Sequence, residues 1–170
     1  MEVRAATAED AADIAVTRIA AWHHAYEELV DPRLLMDLDV EEETATWRRR
    51  LDGPSGPDGL RTLVAVQGHR AIGFAAVLPR RREHDLPAST AELTALYVHP
   101  TAQGAGVGSL LLPAAEDLMR GTGASGAVLR VLAGNWWARD FYAARGWSHE
   151  QGAPAVDAGG TATERWERAL

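Results

Sequence analysis

Residues 92–108 read Glu92-Leu93-Thr94-Ala95-Leu96-Tyr97-Val98-His99-Pro100-Thr101-Ala102-Gln103-Gly104-Ala105-Gly106-Val107-Gly108, and this stretch decides the fold. Its first part continues an apolar run of strand length, Ala91 to His99, closed by Pro100. Its second part sets Gly104, Gly106 and Gly108 at alternate positions ahead of a helical segment. Glycines let a backbone turn tightly and come close to a ligand, and the free amides and positive dipole end of a helix start face an anion. A pyrophosphate fits such a nest. On glycine spacing alone, a flexible strand-to-helix turn reads equally well.

Working outward toward the C-terminus, a helix over about 107–120 carries Leu110, Leu111, Leu112, Ala115 and Leu118. Pro113 inside it removes one backbone N–H and predicts a kink or an irregular first turn. Gly126 to Ala133 is a strand, Asn135 opens a helix lasting to about Arg145, and Gly146 ends it as a C-cap glycine. Trp147–Gln151 and Thr161–Leu170 read as strands separated by the turn-rich Gly152–Gly160. Toward the N-terminus, Leu60–Gln67 and Ala71–Leu78 form a hairpin around Gly68-His69-Arg70, and Pro79–Pro87 is a polar loop.

Residues 2–6 are a first strand, and Thr7 stands three residues before Asp10 as in a capping box. Ala12, Ile19, Trp22, Tyr26 and Leu29 repeat at helical spacing and predict a helix over about 8–29, ended by Asp31-Pro32. Another helix is expected over about 40–51, with Asp39 as N-cap, Glu41–Glu43 in its first turn and Arg48–Arg50 in its last, a polarity that complements the helix dipole. The loop formers of 53–59 follow. Hairpins dominate one half while helices and strands alternate in the other. The fold class is therefore α/β (α+β), a mixed sheet with helices on both faces, in a single domain spanning 1–170.

Composition narrows the chemistry. The chain has 170 residues, 46% apolar, and 24 acidic against 17 basic groups for a net charge of −7, which argues against a nucleic-acid partner. All 17 basic residues are arginine. Without lysine there is no phosphate loop of the GxxxxGK[ST] kind, no Schiff base, and no lysine-tethered biotin or lipoyl group. Without cysteine there is no disulfide, thiolate nucleophile, Cys-based zinc site or iron–sulfur cluster. The six histidines show no His-x-His or His-x-x-x-His spacing, so no metal is expected. The N-terminus has no basic stretch followed by an apolar core, and no window holds 18 apolar residues, so we expect a cytoplasmic protein with no membrane partner.

Three segments together carry a resemblance. They are Val98-x-Pro100-x-x-Gln103-Gly-x-Gly106-x-Gly108, then Asn135 with Phe141-Tyr142-Ala-Ala-Arg-Gly146-Trp147, and the opening Val3-Arg4-x-Ala-x-x-x-Asp10-Ala. The chain resembles the GNAT superfamily, the GCN5-related N-acetyltransferases. That resemblance implies the GNAT fold: a mixed, mostly antiparallel sheet of six to seven strands, splayed between the two central ones. It also implies an enzyme that moves the acetyl group of acetyl-CoA to a primary amine of a small molecule or peptide, by direct attack in a ternary complex. With no cysteine, an acyl-cysteine intermediate is excluded. The alternative is a non-catalytic acyl-CoA-binding sensor or interaction domain of the same fold.

The resemblance also implies the site. Backbone groups of Leu96, Tyr97 and Val98 would take the pantetheine arm, and an amide near Leu96 would polarise the thioester carbonyl. Gln103, Gly104, Ala105, Gly106, Val107 and Gly108, with Ser109 beside them, would take the pyrophosphate. Gln103 stands where arginine is commoner. Asn135 would bond the pantetheine region, and Tyr142 would give its proton to the thioester sulfur, core packing being the other reading of that tyrosine. Glu92 holds the position of a general base, and strand alternation places it on one face with Thr94, Leu96 and Val98. Otherwise it is a strand cap or a partner of Arg80–Arg82. Trp22 and Tyr26, on the first helix, are candidates for the acceptor pocket or for core. Phe141 and Trp147 are expected in the core. The charged run Arg80–Asp85 belongs to a solvated loop or approaches the cofactor, and Trp136 and Trp137 are candidates for a homodimer contact.

Overall fold

In this computed structural model the described residues are 1–53, 59–80, 86–153, 156–158 and 161–170. In chain order the elements are β1 (Glu2–Ala5), α1 (Ala11–Tyr26), α2 (Pro32–Met36), α3 (Val40–Arg50), β2 (Arg61–Gln67), β3 (Arg70–Leu78) and β4 (Thr90–Val98). They continue with α4 (Val107–Gly121), β5 (Gly126–Leu132), α5 (Trp136–Ala143), β6 (Ser148–His149), β7 (Val156–Ala158) and β8 (Thr161–Ala169). The sheet runs β1-β2-β3-β4-β5-β8-β6, with the short β7 also paired to β8. Every pairing is antiparallel except β4 with β5, so the expected mixed, mostly antiparallel sheet is present.

Side chains alternate across the strands and build a core on each face. On one face, Ala75, Val77, Leu93 and Leu129 meet Val107, Leu111, Ala115 and Met119 of α4 and Tyr142 of α5. On the other, Val64, Phe74 and Ala76 meet Ala11, Ile14 and Ala15 of α1 and Trp47 of α3. The expected helices on both faces are therefore in place. Trp47 and Phe74 pack edge to face with centroids 5.1 Å apart, while the Trp47 Nε1–H donates to Glu43 Oε1 at 2.8 Å. Burying that indole costs little because its one donor is satisfied.

Local chemistry explains the element ends. Asp10 takes the Thr7 amide at 2.8 Å and both terminal nitrogens of Arg4 at 2.8 Å, which joins the capping box to β1. Asp39 Oδ1 takes the amides of Glu41 and Glu42 at 2.9 Å, as its N-cap position predicts. Gly146, at φ +82°, closes α5: the Trp147 amide reaches back to Tyr142 O at 3.1 Å and the Gly146 amide to Ala143 O at 3.1 Å. This double return of amides past a left-handed residue is the bonding that a glycine stop supplies.

Three expectations are corrected, and α4 is continuous at Pro113. Asp31-Pro32 does not merely end the first helix, whose α-helical part closes at Tyr26; it starts α2, because the Asp31 side chain accepts the Arg33 amide at 2.9 Å and proline suits the first helical position. Helix α4 runs unbroken through Pro113, which is exposed. Proline there leaves the carbonyl four residues back without its intrahelical donor, and on an exposed stretch water can replace that bond. The strand expected over Trp147–Gln151 shrinks to Ser148–His149, and β7 forms inside the segment expected as a turn. Residues 54–58 of the glycine-proline loop and 81–85 of the charged loop lie outside the described residues.

Candidate functional site

Strands β4 and β5 pair only through Thr90–Leu93 and Gly126–Leu129. Beyond that rung β4 continues on β3, as far as Val98 opposite Gly73, while β5 continues on β8, as far as Leu132 opposite Thr163. The two central strands therefore part, and Ala95–Val98 present one backbone edge to the gap. A strand edge has unused N–H and C=O groups, which an extended amide-bearing chain can occupy. Leu96, Tyr97 and Val98 all fall on this edge.

At the end of β4 the chain turns into α4 through Gly104 at φ +77° and Gly106 at φ +83°. L side chains rarely adopt that region, and a Cβ at either glycine would meet nothing within 4 Å, so the loop is an open cradle of backbone. The α4 hydrogen-bond ladder starts with the Leu110 amide on Gly106 O at 3.1 Å. The amides of Val107, Gly108 and Ser109 precede it and belong to the helix head. The Gln103 Nε2 donates to Val98 O at 3.2 Å and ties the loop to the strand end. An edge for an amide-bearing arm that leads to a cradle for a diphosphate fits acyl-CoA.

The gap is bordered by a cluster of hydroxyl and amide groups. Tyr26 of α1 lies near Tyr97 of β4, Asn135 and Tyr142, close enough for each to act on its hydroxyl. Tyr26 and Tyr97 come from the α1 face of the sheet while Tyr142 belongs to the α4 core, so they meet through the opening itself. Asn135 caps α5, its Oδ1 taking the Ala138 amide at 3.1 Å, which fixes its side chain at the start of that helix. Tyr142 is 8% exposed, and burial, with a smaller effect of Tyr97, pushes its hydroxyl well above the ordinary tyrosine range. Burial first and then Tyr97 do the same to Tyr26. Both hydroxyls keep their protons at neutral pH and are available as donors.

Glu92 is 8% exposed, but it does not share a face with Leu96 as strand alternation predicts. The β3–β4 register pairs Ala76 with Ala95 and Val77 with Leu93, which leaves Thr94 as an extra residue in a bulge. The Thr94 hydroxyl donates to Ala76 O at 3.1 Å and stabilises the kink. A bulge of one residue exchanges the faces on either side of it. Leu93, Leu96 and Val98 consequently face α4, while Glu92, opposite Leu78, falls on the side of Ala95 and Tyr97, facing α1.

On that α1 face a chain of side-chain contacts links Tyr26 to Tyr97. Trp22 packs edge to face on Tyr26 with centroids 5.2 Å apart, and the Arg18 guanidinium lies 4.6 Å from the Trp22 centroid. Arg18 pairs with Glu43 at 3.2 Å, Glu43 holds Trp47, Trp47 touches Phe74, and Phe74 lies 5.6 Å from Tyr97. The Trp22 Nε1–H is buried with no hydrogen-bond partner among the described residues. Trp22 and Tyr26 thus lie together on α1, with Tyr26 beside Tyr97 of β4.

Other expected placements also resolve. Trp147 is 3% exposed and its Nε1–H donates to Glu116 Oε1 at 3.0 Å, so it is core. Phe141 is only partly buried and packs between Gly108 and Arg145. Trp136 and Trp137 stack on each other with centroids 4.2 Å apart and stand 55% and 72% exposed. Two features of the site had no sequence signal in their favour: the Tyr97 side chain, read only for its backbone, and Arg145, which reaches Ser109 across 36 positions of sequence. A cavity of about 220 Å³ lined by Pro79, Ser89 and Thr122 lies beside the start of β4, at the far end from the gap, and contains none of these residues. Among the described residues no group of three or more His, Asp or Glu is placed to hold a metal, and no helix is long and apolar enough to cross a membrane.

Comparison with known proteins agrees with this geometry. The acetyltransferase (GNAT) family model matches residues 18–147. YuaI of Bacillus subtilis (strain 168), an uncharacterized N-acetyltransferase, is 27% identical over 135 residues, covering 78% of this chain and 72% of that protein. The PaiA N-acetyltransferase of Thermoplasma acidophilum, solved in complex with coenzyme A, has a TM-score of 0.80 at 20% identity, over 99% of this chain and 98% of that one. YncA of Salmonella typhimurium, solved with its cofactor acetyl-CoA, has a TM-score of 0.72 at 21% identity, over 100% of this chain and 94% of that one. Since the family match contains the parted strands, the glycine cradle and the asparagine-capped helix together, the chain belongs to the acetyltransferase (GNAT) family.

Proposed function

We propose that the protein is an acetyl-CoA-dependent N-acetyltransferase that passes the acetyl group directly to a primary amine of a small molecule or peptide while both substrates are bound. The observation that carries this reading is the parting of β4 from β5 after Leu93, with a glycine cradle at one end and the Tyr26–Tyr97–Tyr142–Asn135 cluster at the opening. When bound, acetyl-CoA supplies an activated thioester carbonyl. The exposed edge of Leu96, Tyr97 and Val98 orients the arm that carries it, and an amide near Leu96 polarises the carbonyl oxygen. The backbone of 103–108, with Ser109 beside it, holds the diphosphate.

Proton transfers fall to two side chains. Tyr142, kept protonated by burial, donates to the departing sulfur, and Asn135 orients the cluster around it. Glu92 takes a proton from the arriving ammonium and so frees the amine to attack. The bulge at Thr94 supports the base role, because it moves Glu92 off the α4 face and onto the face where Trp22 and Tyr26 would hold the acceptor. Trp136 and Trp137 would serve a homodimer.

The test is a coenzyme A release assay across a panel of amines, with acetyl-CoA binding followed by calorimetry on the same sample. With no lysine to acetylate, background self-acylation is low. Binding with turnover on one amine class establishes the enzyme and its acceptor. Tight binding with no turnover on any amine favours a sensor, and no binding overturns the donor assignment.

A further inference from the structure

We propose that Arg145 is the cation of the acyl-donor seat and clamps the donor pyrophosphate against the head of α4. The assignment rests on the acetyl-CoA reading above and adds a residue that the motif Phe141-Tyr142-x-x-x-Gly146 leaves open. Arg145 follows the last turn of α5, yet its guanidinium belongs to the start of α4. Nη2 donates to Ser109 Oγ at 2.7 Å, Nη1 donates to Phe141 O at 2.9 Å, and Cζ lies 3.8 Å from the Phe141 ring centroid. Phe141 in turn lies against Gly108, its Cζ 3.2 Å from the place a Cβ would take. The charge is therefore fixed from two directions, beside the first-turn amides of the cradle.

Charge balance supplies the second argument. Arg4, Arg18, Arg70, Arg120, Arg139, Arg165 and Arg168 each pair with a carboxylate. Arg145 has no carboxylate partner among the described residues, although the chain carries a net charge of −7. It stands instead where the helix dipole and the free amides are also positive. Like partial charges collected at one point repel, and an anion seated there adds an attraction to each of them that offsets this repulsion. The N–H groups of Arg145 not used by Ser109 and Phe141 remain for phosphate oxygens, and a guanidinium matches paired phosphate oxygens better than any other side chain.

Calorimetry with coenzyme A, dephospho-coenzyme A and pantetheine tests this on wild type, Arg145→Gln and Arg145→Lys. We expect Arg145→Gln to weaken coenzyme A and dephospho-coenzyme A alike, by about ten- to a hundredfold, the usual range for a hydrogen bond to a charged group. Pantetheine binding stays within about twofold, the dependence of coenzyme A affinity on salt becomes shallower, and Arg145→Lys recovers part of the loss. Unchanged coenzyme A binding overturns the proposal. So does an equal loss on pantetheine, which would make Arg145 a prop between α4 and α5, and so does a loss confined to coenzyme A, which would move the contact to the 3′-phosphate. If wild type binds none of the three, the donor reading of the whole site falls, an outcome visible before any variant is compared.

Discussion

Phe141 Cζ stands 3.2 Å from the position a Cβ on Gly108 would occupy, with Leu96 Cδ2 3.8 Å from the same position. Helix α4 therefore approaches α5 and β4 as closely as it does because residue 108 has no side chain. In Gly108→Ala the ring must yield by a few tenths of an ångström, and Phe141 carries Arg145 with it. Alanine also favours a helix over glycine by roughly 0.5–1 kcal/mol, which offsets the crowding. The expected outcome is a thermal midpoint within a few degrees of wild type and acetyl-CoA affinity reduced about three- to tenfold, read by melting and calorimetry. Unchanged affinity would show that the ring moves without disturbing the cradle.

Tyr142→Phe removes a proton donor and leaves the ring packed against Phe141 and Trp147, whose centroids lie 5.2 and 6.0 Å away. Losing a general acid typically costs about a hundredfold or more in rate. Turnover should fall to that extent, with acetyl-CoA affinity within about twofold of wild type. Equal turnover in single-turnover measurements would assign Tyr142 to the core alone.

The segments that carry the site were legible because their signals are local. Asp39, Gly146 and the paired glycines of 104–106 each act on backbone within a few residues, and the family resemblance extends that reading to the parted strands. The bulge at Thr94 was not legible: alternation assumes one residue per rung, and nothing in Leu93-Thr94-Ala95 marks the extra one. Helix α2 was missed because Asp31-Pro32 reads as a helix stop, whereas α1 has already closed at Tyr26 and the pair starts α2. The side-chain role of Tyr97 depends on Tyr26, and the place of Arg145 depends on Ser109; neither pair is tied by any periodicity of the chain.

Glu92→Gln keeps volume and removes a base. At alkaline pH a free amine arrives already deprotonated and needs little help, whereas nearer neutrality it arrives protonated. The ratio of wild-type to variant kcat/KM should therefore rise as pH is lowered from about 9 toward about 7. A ratio that stays flat across that range would exclude Glu92 as the base, and its buried place opposite Leu78 and Val128 would then be structural.

The raised Tyr26 and Tyr142 hydroxyls predict alkaline sensitivity. In the unfolded chain tyrosine ionises near pH 10, while burial in the folded protein holds these two protonated above that. Below about pH 10 neither state has lost the proton and the stabilisation is complete. Above it the unfolded state releases protons that the folded state keeps, so stability falls as pH rises. Urea midpoints measured from about pH 8 to 11 should decline at the upper end, and the Tyr26→Phe, Tyr142→Phe double variant should decline less. Equal slopes would place the alkaline loss in other groups.

Asp10 makes the opposite prediction at the acid end. Burial by itself raises its carboxyl, but the two bonds from Arg4 and those from the Thr7 amide and hydroxyl outweigh burial and hold it below the ordinary aspartate value. A lowered folded-state value means that the stabilisation is complete above about pH 4, where unfolded aspartate is ionised. It is lost as pH falls through the lower folded value, because the unfolded chain takes up the proton first. Asp10→Asn keeps the shape but loses the charge that pairs with Arg4, which is 39% exposed and partly screened by solvent. The variant should lose about 1–3 kcal/mol at pH 7, the range for removing charge-assisted hydrogen bonds from a buried acceptor. Its deficit should shrink as both proteins are taken below about pH 4. A deficit independent of pH would mean that the geometry of the Thr7 turn, and not the Arg4–Asp10 charge pair, holds β1 to the start of α1.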